Sequence, residues 1–128
     1  MGRLFLIQFD QTPDAFLYLC AICETHIASW KEYAFAYHGL PNDTIGAIFH
    51  KIVNVYGDGP EQHHKFGDYT VEDVHCNKCG NLLGFKFIDN ANDNQFRVGD
   101  FCLPLKKLLI WDGEDGGEMM DADTGDPV

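Results

Sequence analysis

Two Cys-x-x-Cys pairs constrain this chain more than any other feature. Cys20 and Cys23 form the first pair, Cys76 and Cys79 form the second, and 52 residues lie between the pairs. Each pair brings two thiols within reach of one tetrahedral ion, so the four cysteines predict a single structural Zn²⁺ site. A plain zinc ribbon has only ~15–20 residues between its pairs. The longer spacing predicts that the ion ties two distant hairpins together. Buried or disulfide-bonded cysteines are the alternative.

The residues that follow the two pairs differ. Gly80 directly follows Cys79, and a residue without Cβ suits the left-handed backbone that often ends such a turn. Glu24 stands at the corresponding position of the first pair, which therefore lacks this signal.

Length and charge limit the possible functions. With 128 residues and 45% hydrophobic content, the chain predicts one domain with a real core. Twenty acidic and nine basic residues give a net charge of −11, which disfavours binding to a phosphate backbone. We therefore expect protein partners and no nucleic acid, with the oligomeric state left open.

Nothing in the sequence predicts secretion or a membrane. The apolar stretch 4–7 is shorter than the ~7–15 residues of a signal-peptide core, and no run approaches the ~20 apolar residues of a membrane span. An odd fifth cysteine, Cys102, argues against an extracellular disulfide framework. We expect the protein in the nucleus, the cytoplasm or both.

Short runs of β-branched and aromatic residues predict a mainly antiparallel β fold. The predicted strands are residues 16–19, 47–56, 69–75, 82–88 and 96–103. Residues 57–60 and 89–94 are rich in turn formers and separate such runs. The aromatic segment 28–37 fits neither the helical nor the strand period, and its structure stays open.

The composition changes at residue 112. Residues 112–128 contain seven acidic residues, four glycines and no basic residue, which predicts a disordered acidic tail. The domain is then predicted to cover residues 1–111, with its zinc-binding part at about 14–105.

Several short motifs, in order, resemble the Yippee family. They are residues 20–28 (Cys-Ala-Ile-Cys-Glu-Thr-His-Ile-Ala), 52–55 (Ile-Val-Asn-Val), 70–76 (Thr-Val-Glu-Asp-Val-His-Cys) and 79–87 (Cys-Gly-Asn-Leu-Leu-Gly-Phe-Lys-Phe). The opening residues 1–5 and the later residues 96–99 also resemble yippee-like proteins. The likeness covers roughly residues 1–105 and includes the spacing between the cysteine pairs.

The resemblance implies a zinc-stapled antiparallel β-tent, related to the ligand-binding domain of cereblon and to methionine-R-sulfoxide reductases. It implies that Cys20, Cys23, Cys76 and Cys79 are the zinc ligands. It further implies a small nuclear or cytoplasmic protein without catalysis that acts in protein complexes. The predicted function is thus a non-catalytic protein-interaction or regulatory module.

Two alternatives remain. The first is a small-molecule pocket lined by aromatic residues, although cereblon's pocket resembles a cage of three tryptophans and this chain has only Trp30 and Trp111. The second is a reductase that uses Cys102, which lies where the reductases carry an Arg-aromatic-Cys-x-Asn motif. Asp100 replaces the arginine here and Pro104 the asparagine, and an anionic neighbour raises the pKa of a thiol.

Two histidines lie close to the cysteine pairs. His26 follows the first pair and His75 precedes the second, so either could replace a cysteine as ligand or support the metal from outside. Four thiolates already fill a tetrahedron, which favours structural roles for both histidines.

Overall fold

The chain forms two antiparallel sheets in the computed structural model, which describes residues 16–89, 95–111 and 119–127. Eleven strands lie in these residues: β1 (Leu17–Cys20), β2 (His26–Ser29), β3 (Tyr33–Tyr37), β4 (Gly46–Phe49), β5 (Val55–Gly57), β6 (His64–Phe66), β7 (Tyr69–Cys76), β8 (Leu82–Asp89), β9 (Phe101–Pro104), β10 (Leu108–Trp111) and β11 (Met119–Asp121). Three single 3₁₀ turns also occur, at Trp30–Glu32, Pro60–Gln62 and Leu105–Lys107. None of the described helical segments is long and apolar enough to cross a membrane.

The four-stranded sheet, sheet A, has the order β11-β10-β1-β2. The seven-stranded sheet, sheet B, has the order β3-β4-β9-β8-β7-β5, with β6 also paired to β7. All of these pairs are antiparallel, as the sequence predicts.

The main core joins the two sheets. Because side chains alternate along a strand, each sheet turns every second residue toward the other. The buried residues of this core are Cys20, Ile27, Ala28 and Leu108 from sheet A, Ala47, Phe49, Val74, Cys76, Leu83 and Leu103 from sheet B, and Ile52 from a connection. The opposite side chains of sheet B form a second, mostly aromatic cluster around Phe87 and Phe96, whose rings stack 4.4 Å apart.

Gly84 lets β8 and β9 approach each other closely. A Cβ at this position would collide with the carbonyl oxygen of Cys102, and the side chain of Leu103 lies nearly as close. The glycine of the 79–87 motif is therefore required by packing between neighbouring strands.

Most predicted strands form, but two have the wrong extent. The run 47–56 is divided between β4 and β5, and its interruption includes Asn54 in a left-handed conformation at φ 61°. Only the end of the run 96–103 is a strand, and Phe96 instead packs its ring against the aromatic cluster. The open segment 28–37 holds the end of β2, a 3₁₀ turn and β3.

The prediction of a disordered tail does not hold for the described residues of that segment. Met119–Asp121 form β11, which pairs with β10, and Ala122 packs against the main core. Met120 also forms a bridge with Pro127. The motif at residues 1–5 and residues 90–94 of the predicted turn lie outside the described residues.

Candidate metal centre

Two similar turns, here called knuckles, carry the four predicted ligands. The first knuckle (residues 20–25) leaves β1, and the second (residues 76–81) leaves β7. In the first, the Cys20 amide donates to the Thr25 carbonyl at 2.9 Å and the Glu24 amide to the Cys20 carbonyl at 2.8 Å. The second repeats the pattern: the Cys76 amide donates to the Asn81 carbonyl at 2.9 Å and the Gly80 amide to the Cys76 carbonyl at 2.8 Å.

Both knuckles use the left-handed conformation at the residue after their second cysteine. Gly80 has φ 77°, as the glycine predicts, and Glu24 has φ 62° although it carries a side chain. Sequence reasoning found this conformation only in the second knuckle.

The sulfur atoms of the four cysteines converge where the two knuckles meet. All four lie within 4.8 Å of one another. Across the knuckles, Cys20 Sγ is 3.7 Å from Cys79 Sγ, and Cys23 Sγ is 3.5 Å from Cys76 Sγ. A Zn–S bond of about 2.3 Å places the sulfurs of a regular tetrahedron about 3.8 Å apart. A disulfide would need about 2.05 Å. The spacing therefore fits one tetrahedral ion and excludes the disulfide alternative.

The surroundings of the thiols change their acidity. Burial raises the pKa of the Cys20 thiol to about 12 and also raises the pKa of Cys76. Burial acts in the same direction on Cys23, but hydrogen bonds from Thr25 and the neighbouring thiols outweigh it and lower the pKa of Cys23 to about 7. Several thiols are thus protonated without a metal, and a bound divalent cation would displace those protons.

Thr25 is a supporting residue that sequence reasoning missed. Its hydroxyl lies 3.0 Å from Cys23 Sγ, and Thr25 itself is buried at 6% exposure. A hydroxyl that donates to a thiolate stabilises the charged form. The sequence does contain a signal for this bond, since a threonine two residues after the second cysteine can reach back over the turn. The motif alone, however, does not show that its hydroxyl contacts Cys23.

Neither nearby histidine joins the cluster. His26 Nε2 and Nδ1 are outside the group of converging atoms, and its ring packs 6.0 Å from that of Trp111. His75 Nε2 lies 2.8 Å from Asp58 Oδ1, and its ring stacks on Tyr56 at 5.2 Å. The four-thiol site needs neither.

Cys102 has the wrong surroundings for a nucleophile. Its side chain is fully buried in the aromatic cluster of sheet B, and this burial raises its pKa to about 12. The adjacent Asp100 is also buried and is held 3.0 Å from His50 Nδ1, while its other oxygen accepts from the Arg97 amide at 3.3 Å. These contacts of Asp100 fix the turn before β9, and burial alone keeps the Cys102 thiol uncharged.

The two tryptophans lie in different surroundings. Trp111 packs against a buried leucine cluster of sheet A, whereas Trp30 is 43% exposed in the turn before β3. The structure therefore gives no direct support to an aromatic cage built from both.

The fold and the site define a β protein in which a four-cysteine centre joins two antiparallel sheets. The sequence profile of the family described as "Yippee zinc-binding/DNA-binding/Mis18, centromere assembly" matches residues 16–120. The chain belongs to this Yippee-Mis18 family, and its four clustered cysteines can hold one metal ion.

Relatives named yippee-like occur in plants and animals. A yippee-like protein of Arabidopsis thaliana is 31% identical over 122 residues, covering 85% of this chain and 83% of the relative. One of Solanum tuberosum is 33% identical over 116 residues, covering 88% and 85%. Yippee-like 3 of Homo sapiens is 28% identical over 102 residues, covering 77% and 83%. None of these names denotes an enzyme.

Two solved structures share the fold. The Yippee-like domain of Mis18 aligns with a TM-score of 0.66 at 9% identity, covering 80% of this chain and all of that domain. The C-terminal domain of Caenorhabditis elegans Dicer-related helicase 3, solved with a 5′-triphosphate 8-mer single-stranded RNA, aligns with a TM-score of 0.55 at 9% identity, covering 89% and 64%.

Proposed function

We propose that Cys20, Cys23, Cys76 and Cys79 hold one structural Zn²⁺, and that the stabilised domain is a non-catalytic protein-interaction module of the nucleus or cytoplasm. One observation carries the first part: two sulfurs from the first knuckle and two from the second converge at tetrahedral spacing. A bound Zn²⁺ would be held by all four thiolates and would cross-link the knuckle that follows β1 to the knuckle that follows β7. Such closed sites are typical of structural zinc, since catalytic sites keep a position open.

The remaining chemistry supports a non-catalytic role. The fifth thiol is buried and protonated at neutral pH. His64 and Asp73, whose side chains lie 2.9 Å apart and are partly exposed, join the neighbouring strands β6 and β7. They have no nucleophile among their described contacts.

Exposed apolar side chains support an interaction role. Large ones occur on strands of sheet B, such as Phe35, and in turns and connections, including Phe16, Ile22, Trp30 and Val98. Apolar groups that remain in water are a common mark of protein contact surfaces when they cluster.

Charge favours protein partners over nucleic acid. The family description includes DNA binding. One structural neighbour was solved with RNA, but its 9% identity shows a likeness of fold alone. A net charge of −11 repels a phosphate backbone, whose binding depends on neutralising lysine and arginine residues.

Zinc content tests the ligand assignment. Wild-type protein, Cys76→Ser and the matched control Cys102→Ser are purified without chelator, and zinc per chain is measured by mass spectrometry. We expect one zinc in the wild type and in Cys102→Ser, and loss of zinc in Cys76→Ser. One tightly held zinc in Cys76→Ser would contradict the four-thiolate site.

Affinity capture tests the interaction role. Zinc-loaded protein and zinc-depleted protein are used as bait in extracts of the native cells, and bound proteins are quantified against empty beads. We expect recurrent partners that require zinc. Zinc-loaded protein that captures nothing above the beads, yet reduces a methionine-R-sulfoxide peptide in a Cys102-dependent manner, would replace the module by the reductase alternative.

A further inference from the structure

Strand β3 is an edge strand of sheet B, and no described residue covers its outer side. It lies at the end of the strand order and pairs with β4. Within the described residues, positions 34–37 make no backbone hydrogen bond outside that ladder. Among the described residues, none bonds to the N–H and C=O groups on the outer side of β3, and groups of this kind can pair with a further strand.

The other three sheet edges are covered or short. At the edge of β2, the carbonyl of Ile27 accepts from the Val53 amide at 2.8 Å. At the edge of β11, the chain turns back and Met120 forms a bridge with Pro127. At the other end of sheet B, the edge consists of β5 and β6, which both pair with β7 and have only three residues each. These arrangements limit pairing with other chains, and β3 shows no comparable cover among the described residues.

The side chains of β3 do not protect it either. Its sequence, Tyr-Ala-Phe-Ala-Tyr, contains no charged residue and no proline, which are the usual means of blocking an edge. Tyr33 and Phe35 are each 37% exposed, and the adjacent Trp30 is 43% exposed. A register shift separates Tyr33 from Phe35, but residues 35–37 pair regularly with residues 46–48. They offer a regular edge beside an aromatic surface.

We infer that β3 receives an extended peptide of another protein, which adds a strand to sheet B and carries lysine or arginine residues. This inference rests on the proposed interaction function and names its surface and partner class. Backbone hydrogen bonds of an added strand give affinity, and alternate side chains give specificity. β-branched or aromatic residues of the peptide would pair across from Phe35.

Charge decides between another protein and a second copy of this chain. Two copies each carry a net charge of −11 and repel one another. A basic peptide is attracted by the same field, which raises its association rate. The edge is short, so we expect a dissociation constant on the order of 100 μM for a peptide alone.

The probe is a synthetic eight-residue peptide that alternates valine and lysine. It is added to ¹⁵N-labelled, zinc-loaded full chain, and amide shifts and hydrogen exchange are followed by NMR. We expect shift changes and at least threefold slower exchange within residues 33–37. A peptide that alternates valine and glutamate should bind at least tenfold more weakly, and added salt should narrow this difference.

Substitutions at two residues of similar exposure test whether the peptide binds at β3. Phe35→Lys introduces a positive charge at the centre of the edge and should weaken binding of the valine-lysine peptide at least tenfold. Leu82→Lys changes a residue that is 41% exposed on β8, which lies between β7 and β9, and should leave binding within twofold. Zinc content and the thermal melt confirm that both variants are folded.

Three outcomes would overturn the inference. They are concentration-dependent protection of residues 33–37 without peptide, equal binding of the two peptides, or perturbations confined to other strands. If captured partners bound Phe35→Lys as well as wild type, β3 would not be the binding surface, and the proposed function would be unaffected. If wild-type protein captured no partner above empty beads, the proposed function itself would be wrong.

Discussion

The two knuckles make the same hydrogen bonds with different residues. The second places Gly80 in the left-handed conformation, where a glycine is unstrained, and the first places Glu24 there. A residue with a Cβ costs roughly 1–2 kcal/mol in this conformation. The difference teaches that the cysteine positions and the hydrogen bonds of the turn impose the left-handed backbone conformation in both knuckles. The conformational preference of the residue favours it only in the second knuckle.

The strands behind the knuckles also differ. The first knuckle connects β1 and β2, which have four residues each, and the second connects β7 and β8, which have eight each. Longer ladders resist local opening better. The metal centre therefore ties a weakly supported hairpin of sheet A to a strongly supported hairpin of sheet B.

Removal of one ligand from either knuckle should have the largest effect. Cys20→Ser and Cys76→Ser each leave an incomplete site, and structural zinc supplies roughly 10–16 kcal/mol of apparent binding free energy in small domains. We expect both variants to lose zinc and the cooperative thermal transition, as measured by metal analysis and circular dichroism. A variant of one knuckle that kept zinc and melted like wild type would show that the two knuckles do not share one ion.

Removal of β11 should destabilise sheet A, from which the first knuckle extends. A chain that ends at Trp111 loses the strand that extends sheet A, and its free energy of unfolding should fall by about 1–2 kcal/mol, which lowers Tm by roughly 5 °C. Hydrogen exchange should accelerate in β10 and β1 more than in β7. A control in which residues 119–121 become Gly-Ser-Gly at full length should match the truncation, and an unchanged melt in both would show that β11 adds no stability.

Substitution of the left-handed residue in each knuckle should change the free energy of unfolding in opposite directions. Gly80→Ala should lower the free energy of unfolding by about 1 kcal/mol, because its Cβ would meet only the Tyr56 hydroxyl at 3.7 Å and the cost lies in the backbone. Glu24→Gly should raise it by about 0.5 kcal/mol, since relief of strain exceeds the added entropy of the unfolded chain.

Chemical denaturation of both variants measures this contrast. Glu24→Ala is the matched control and should leave the free energy of unfolding nearly unchanged, because it keeps a Cβ at the strained position. A destabilised Glu24→Gly would mean that the glutamate side chain, and not the backbone, governs the first knuckle.

Loss of the Thr25 hydroxyl should have the smallest effect. Thr25→Val keeps the shape of the side chain and removes the hydrogen bond to Cys23. We therefore expect the free energy of unfolding to fall by about 0.5 kcal/mol. At the equivalent position, Asn81 makes no described side-chain bond to a cysteine, and Asn81→Ala should cost less. Competition with a chelator measures zinc affinity in both variants, and equal affinities would show that the hydroxyl does not tune the site.

Sequence patterns predict the knuckles and the longest strands because these depend on local chemistry. The cysteine spacing identifies all four converging residues, and the short runs of β-branched and aromatic residues predict β7 and β8. The position of Phe96 was not predictable in this way, since its ring packs on Phe87 of a neighbouring strand and not along a strand of its own.

Pairing with distant residues explains the other errors. Met119–Asp121 have an acidic, glycine-rich context that predicts disorder, but β10 offers them a partner that composition does not reveal. Glu24 adopts its left-handed backbone because the turn closes around Cys20, although its residue type predicts otherwise. In both cases contacts within the fold override the local preference.

The separation of the cysteine pairs along the chain also sets the order of events on the ribosome. After Cys23, 52 further residues are synthesised before Cys76. At roughly 5–20 residues per second, the second pair follows several seconds later. During that interval the nascent chain carries two thiols of a site that cannot yet close, so oxidation competes with metal loading. A ribosome that pauses between the pairs would lengthen this exposure, and prompt completion of the second hairpin would end it.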